Sequence, residues 1–207
     1  MKTDPTFWSD MAVKYAAQPI KDQAAYERTL DRVRAWLPPR AEVVEFGCGT
    51  GSTALLLARS ARHITATDYA EGMIAIANGK LDGGKVDNVT FLTAAVDDAQ
   101  IPDASYDAVL SFSLLHLLPD LEGALARMRD RLRPDGLLIV KAACLGGRYQ
   151  VMRPLIWAMQ LVGKAPYVRI MTPAQMERLI ADAGFEILET GDFPAHPPSH
   201  FVVARRA

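Results

Sequence analysis

The chain has little cysteine, no excess of either charge and no long apolar run. Its 207 residues include two cysteines, Cys48 and Cys144, each in an apolar, strand-like context and neither in a Cys-x-x-Cys or Cys/His spacing. That pattern offers no disulfide framework and no structural metal site, and it reads as a reducing, cytoplasmic compartment. The 23 basic and 24 acidic side chains leave a formal charge of −1, so nothing points to nucleic acid as the main partner. Apolar stretches fall short of the roughly 18 residues a membrane span requires. Residues 1–10 carry charges, Pro5 and Trp8 where a signal peptide would have an apolar core. No stable membrane insertion is expected. Internal repeats and low-complexity linkers are also missing, so residues 1–207 are read as a single domain, long enough to bury roughly 70% of the surface its unfolded chain exposes.

From residue 41 onward, short apolar runs alternate with amphipathic stretches, the pattern of parallel strands joined by crossover helices. The runs predict strands at 41–46, 63–67, 89–92, 106–112 and 137–143, with helices at about 52–61, 71–81 and 120–132 between them. Residues 1–40 form a helical arm. Asp4-Pro5 opens one helix, and Asp22 caps a second whose stripe is Tyr26, Leu30, Val33 and Leu37, stopped by Pro38-Pro39. In the helix at 120–132, Asp120 is the cap, and Arg127, Arg129, Arg131 and Arg133 are read as a solvated face. Residues 146–171 break the alternation and read as an inserted lid or, alternatively, as a packed helix or homodimer surface. Thr172-Pro173-Ala174-Gln175 then starts a capped helix. Two β-rich segments, 185–190 and 200–205, close the chain as a hairpin at the sheet edge, and His196 and His200 are placed on the surface turn between them.

The stretch Val43-Val44-Glu45-Phe46-Gly47-Cys48-Gly49-Thr50-Gly51-Ser52 is a buried strand breaking into three alternate glycines. Such a turn admits φ > 0 and lets a ligand approach main-chain N–H groups. In an open parallel sheet it lies where ligands bind. The second strand ends in Asp68, 21 residues after Gly47, where a carboxylate can accept from ribose hydroxyls. Dinucleotide folds use Gly-x-Gly-x-x-Gly, whereas this turn is Gly-x-Gly-x-Gly preceded by Glu45. A pyrophosphate has no use for a neighbouring carboxylate, while an amino-acid ammonium does. The cofactor indicated is S-adenosylmethionine, and an NAD-dependent oxidoreductase is disfavoured.

With those residues stand Thr67-Asp68-Tyr69-Ala70-Glu71-Gly72-Met73, the run from Asp97-Asp98 to Tyr106-Asp107, the run from Leu110-Ser111 to His116-Leu117-Leu118, and Leu132-Arg133-Pro134-Asp135-Gly136-Leu137. Together they resemble the class I S-adenosylmethionine-dependent methyltransferases over residues 41–143. The resemblance implies an α/β, doubly wound, Rossmann-like sheet of seven strands with the last antiparallel. It places Gly47, Gly49 and Gly51 around the methionine part, with Glu45 near its amino group. Asp68 falls to the ribose, and Tyr69 and Met73 to the adenine or ribose. The family's Gly-Asp-Ala after the third strand is replaced here by Ala94-Ala95-Val96-Asp97-Asp98. Asp97 and the Val96 backbone are assigned to adenine, with Asp98 as competitor, and Ser111 to the sulfonium end.

Each assignment has a plainer alternative: a helix cap for Asp68, a buried ion pair for Glu45, core packing for Tyr69 and Met73. On the acceptor side, His116 is a candidate base or a packed histidine, and Tyr15 a lid residue or simple packing. The expected activity is methyl transfer to a small-molecule acceptor, the alternative being a non-catalytic binding protein that regulates a partner.

Overall fold

A computed structural model describes residues 5–81, 86–161, 163 and 165–207, with Met152 described in its backbone only. The expected cap Asp4 therefore lies outside the described residues, as does Lys164 of the insertion. Seven strands form one sheet in the order β3-β2-β1-β4-β5-β7-β6. They are β1 (Glu42–Phe46), β2 (His63–Asp68), β3 (Val89–Thr93), β4 (Tyr106–Phe112), β5 (Leu132–Ala143), β6 (Phe185–Ala195) and β7 (Pro198–Arg206). Strands β1 to β5 pair in parallel, and β7 runs antiparallel between β5 and β6. The closing hairpin thus supplies the last two strands of one edge, with β6 outermost.

The pleat sends alternate residues to opposite faces. On one face Val43, Ile64, Leu110 and Ile139 pack under α2 (Gln23–Trp36), α3 (Ser52–Leu57) and α4 (Glu71–Gly79). On the other, Val44, Val109, Leu138 and Val140 pack under α5 (Leu121–Arg131) and α7 (Pro173–Asp182). Helix starts follow local chemistry. Asp22 accepts from Ala25 N, Asp120 from Gly123 N, and Thr172 and Gln175 form a reciprocal capping box. Among the described residues no helix is long and apolar enough to cross a membrane.

Helix α1 (Pro5–Ala16) does not lie on the sheet. It packs along α4, where Ala12 joins Ala70 and Met73 in a small cluster with Trp8 and Tyr69. Gly72 makes this approach feasible, because a Cβ there would stand 2.7 Å from Ser9 O.

Two readings need correction. Arg131 is not on a solvated face. It is 7% exposed, and its guanidinium holds the 96–103 loop through Asp103 Oδ1 at 2.5 Å, Asp98 O at 3.1 Å and Val96 O at 3.4 Å. The next strand begins directly after it, at Leu132, with a register shift where Pro134-Asp135-Gly136 bulges out. His200 is not in a surface turn. It is buried within β7, with Nδ1 at 2.8 Å from Asp192 and Nε2 at 2.8 Å from Glu177 on α7. The insertion contains a helix, α6 (Arg153–Leu161), in which no residue is buried.

Candidate cofactor and acceptor site

Strand order reverses between β1 and β4, so their carboxyl ends open the crevice in which such sheets bind ligands. The turn after β1 takes positive φ at Gly47 (71°), Gly49 (55°) and Gly51 (75°). Cys48 N donates to Thr67 O at 2.9 Å, and Lys80 Nζ from the end of α4 donates to Thr50 Oγ1 at 3.0 Å and Ser52 Oγ at 2.8 Å. Asp68, at the tip of β2, accepts from Gly49 N on Oδ2 (3.0 Å) and from Ala70 N on Oδ1 (2.9 Å). One carboxylate therefore fixes the glycine turn and the entry to α4, and each oxygen retains acceptor capacity.

The three glycines are not equivalent. Gly47 and Gly49 line a cavity of about 420 Å³ together with Asp68, Tyr69, Met73 and Tyr15. At Gly49 a Cβ would meet only Tyr15 Cε1, at 3.7 Å. Gly51 lines neither this cavity nor its neighbour. A Cβ on it would sit 2.5 Å from the Phe91 ring and 2.9 Å from Ala77 Cβ, so glycine is required there by packing.

A second, apolar cavity of about 120 Å³ adjoins the first through shared walls at Trp8, Gly47, Tyr69, Leu114 and Leu117, and reaches Ala94, Ala95 and Val96. Asp97 stands just outside it, exposed, on the wall of a further depression with Val96. Asp98 instead closes its own turn, accepting from Gln100 N at 2.9 Å. Ser111 lines neither of these two cavities: its side chain is buried on the face of Val109, and Ser113, with φ of 60°, is the serine on the wall of the larger one.

Among the described residues, the buried side-chain atoms without a hydrogen-bond partner are Glu45 Oε2, Ser111 Oγ, His116 Nδ1 and Arg131 Nε. Glu45 is fully buried, and burial followed by the charge of Asp68 raises its carboxyl to about 8. Burial likewise raises Asp68, against the two backbone N–H bonds that lower it. Two desolvated carboxyls beside an open glycine turn form a site that a cation with hydrogen-bond donors would satisfy. His116 lines the cavity from the 3₁₀ turn after β4, and burial pushes its imidazole down to about 4. It is neutral at physiological pH. The acceptor-facing walls are otherwise largely apolar, with Phe112, Leu117, Pro166 and Val168.

The model of a methyltransferase domain matches residues 44–140, the span from β1 through most of β5. Over that span the chain is similar to S-adenosylmethionine-dependent methyltransferases. The chain is 33% identical over 109 residues to a demethylmenaquinone methyltransferase of Clavibacter sepedonicus, covering 52% of this chain and 43% of that one. It is 28% identical over 169 residues to a probable S-adenosylmethionine-dependent methyltransferase of Mycobacterium tuberculosis, covering 80% and 54%. The chain thus spans about half the length of the curated relatives it matches. Among solved structures, the Burkholderia thailandensis 1,6-didemethyltoxoflavin-N1-methyltransferase, with S-adenosylhomocysteine bound, shares the fold at a TM-score of 0.76. That alignment has 20% identity and covers 98% of this chain and 87% of that one.

Proteins with the matched methyltransferase domain use S-adenosylmethionine, and the residues present fit it. The buried Glu45 carboxyl, with Oε2 unpartnered, suits an ammonium, the remaining acceptor capacity of Asp68 suits hydroxyl donors, and the small cavity bounded by Val96 and Leu114 suits an apolar ring. The features that the sequence left unmarked are Trp8, which lines both cavities, Lys80, which closes the glycine turn, and Arg131. Trp8 falls within the helix that Asp4-Pro5 opens; nothing local marked the other two.

Proposed function

We propose that this chain transfers a methyl group from S-adenosylmethionine to a small, largely apolar acceptor held in the cavity beneath α1 and residues 166–168. The observation that carries the reading is the convergence on one cavity of the glycine turn and Asp68, at one end, with His116 and an apolar wall at the other. The cofactor, when bound, supplies a methyl already activated by the sulfonium charge, so the protein mainly holds the acceptor in line and excludes water.

In this reading Glu45 takes the amino group, Gly47 and Gly49 admit the methionine part against bare backbone, and Asp68 accepts from the ribose. Tyr69, Met73, the Val96 backbone and Asp97 surround the adenine side. Gly51 supports the turn from behind, and Ser113 takes the place at the cavity wall that Ser111 was expected to fill. Trp8 and Tyr15 on α1 cover the site, and Pro166 and Val168 of the inserted segment form its acceptor-side cover. The backbone of that cover is fixed by Arg169 N donating to His116 O at 2.7 Å and by the Arg169–Glu122 ion pair. The neutral His116 imidazole on the cavity wall accepts the proton when the acceptor is an O–H or N–H group. The names of a demethylmenaquinone and a didemethyltoxoflavin enzyme among the relatives support a small acceptor.

A screen with methyl-labelled S-adenosylmethionine against fractionated small metabolites tests this reading. Label transferred to an apolar fraction supports it. Cofactor binding with no transfer to any fraction would favour the non-catalytic binding alternative.

A further inference from the structure

Helix α6 turns its apolar side outward. Leu155 is 60%, Trp157 62% and Leu161 62% exposed, and Val151 just before the helix 80%. The side chains turned partly inward are Ile156 and Gln160, and Gln160 Nε2 is tied to Pro166 O at 2.8 Å. A helix that owed its stability to the core would show the opposite arrangement. At nine residues it rises only about 13 Å, too short to cross a bilayer and suited to lying along a surface.

Charge selects the partner. Residues 136–176 contain no aspartate or glutamate but five basic residues, in a chain whose total charge is −1. Lys141 is turned inward onto Thr29, and Arg169 is taken up by Glu122. Arg153, however, is exposed at the start of the helix; Arg148, exposed five residues before it, contacts Tyr149 OH at 3.0 Å and His196 Nδ1 at 2.8 Å, neither of them a carboxylate, and Lys164 follows the helix in sequence. Exposed leucines with a tryptophan, in a stretch with basic residues and no acidic ones, match an anionic bilayer: acyl chains take the apolar residues, Trp157 sits at headgroup depth and the arginines meet lipid phosphate. We propose that α6 and its basic flanks dock on anionic phospholipid membranes.

The consequence for acceptor entry rests on the proposed methyl transfer: Pro166 and Val168, just beyond α6, line the cavity, so a lipid-dissolved acceptor would enter from the membrane side. The docking itself does not depend on that activity.

The test is co-sedimentation of the full chain, without cofactor, with vesicles of phosphatidylcholine plus phosphatidylglycerol and of phosphatidylcholine alone, followed also by tryptophan fluorescence. The expected result is salt-sensitive binding to the anionic vesicles with a blue shift that Trp157→Phe removes. Arg153→Gln should weaken binding about fivefold, and Leu155→Glu combined with Leu161→Glu should abolish it. Because these side chains are exposed, the variants should keep the melting temperature and S-adenosylhomocysteine binding of the parent. Absence of binding to anionic vesicles, or equal binding by the double variant, would overturn the proposal. So would a dimer, seen by light scattering, that the double variant dissolves, since the surface would then belong to a second copy. Failure of vesicle binding would leave the methyl-transfer reading standing.

Discussion

Gly49 N donates to Asp68 Oδ2 at 3.0 Å, so the turn after β1 and the tip of β2 are one mechanical unit. The residue proposed to read the ribose also sets the backbone that the methionine part would lie against. Its second oxygen holds Ala70 N at 2.9 Å, which extends the unit to the start of α4. Substituting Asp68 therefore acts on cofactor contact and on turn geometry together.

Glu45 illustrates a site maintained at a cost to stability. Its carboxyl sits at about 8 in the folded chain, against about 4.3 unfolded. The folded state holds a proton that the unfolded state releases across that window, so stability falls as pH rises from about 4.5 to about 8. Glu45→Gln should leave stability near the parent value at pH 4 and raise it at pH 8, by an amount of the order of a few kcal/mol. Urea denaturation of the cofactor-free protein at both pH values reads this, while S-adenosylmethionine affinity should drop.

His116 should act as a base already neutral well below pH 7. With its imidazole near 4, the acid limb of the pH–rate profile should fall near pH 4 to 5 rather than near 6.5. His116→Phe should lower kcat about 10²- to 10⁴-fold for an acceptor that loses a proton, with cofactor affinity unchanged. The same shift, downward for a histidine, makes its contribution to stability rise with pH between about 4 and 6.5. Unchanged turnover in the variant would return His116 to a packing role.

Gly51 and Gly49 should respond differently to alanine. Gly51→Ala places a Cβ 2.5 Å from the Phe91 ring at a φ of 75°, so thermal stability should fall by about 1–3 kcal/mol. Gly49→Ala adds a methyl to the cavity wall, where only Tyr15 approaches. At a φ of 55° it carries left-handed strain of about 1 kcal/mol but no clash, so it should lose less stability than Gly51→Ala while weakening the Kd for S-adenosylhomocysteine. Melting curves and titration calorimetry on the two variants separate them.

Arg131 should behave as a positioning residue for the loop that carries Val96 and Asp97. Arg131→Met strips the carbonyls of Val96 and Asp98 of their donor, at about 1–3 kcal/mol for buried polar groups left unpaired. Cofactor affinity should weaken as well. Asp103→Asn should cost far less, because the Asp103 side chain is 68% exposed. Hydrogen exchange over residues 96–103 would show the loosening directly.

The sheet and the cofactor side were legible because they depend on local pattern: apolar runs, caps at Asp22, Asp120 and Thr172, and a glycine turn with an acid at each flanking strand. What was not legible depends on which residues the fold brings together. Arg131 looks like its neighbours on α5 until the 96–103 loop folds back over it. His200 is two residues into β7, where α7 delivers Glu177 and β6 delivers Asp192. Gly49 and Gly51 are the same residue type two positions apart, and only the approach of Phe91 distinguishes them. Ser111 and Ser113 differ by where β4 stops pleating. The cavity wall around His116 is completed by α1 and by Pro166 and Val168, which are far from β4 in sequence, so no spacing rule joins them to His116.

The measurement that bears most directly on the cofactor site is titration calorimetry of S-adenosylhomocysteine into the parent chain and into Asp68→Ala. One-to-one binding by the parent, lost in a variant that still melts cooperatively, is the expected result. No binding by the parent, or binding that Asp68→Ala leaves intact, would contradict it.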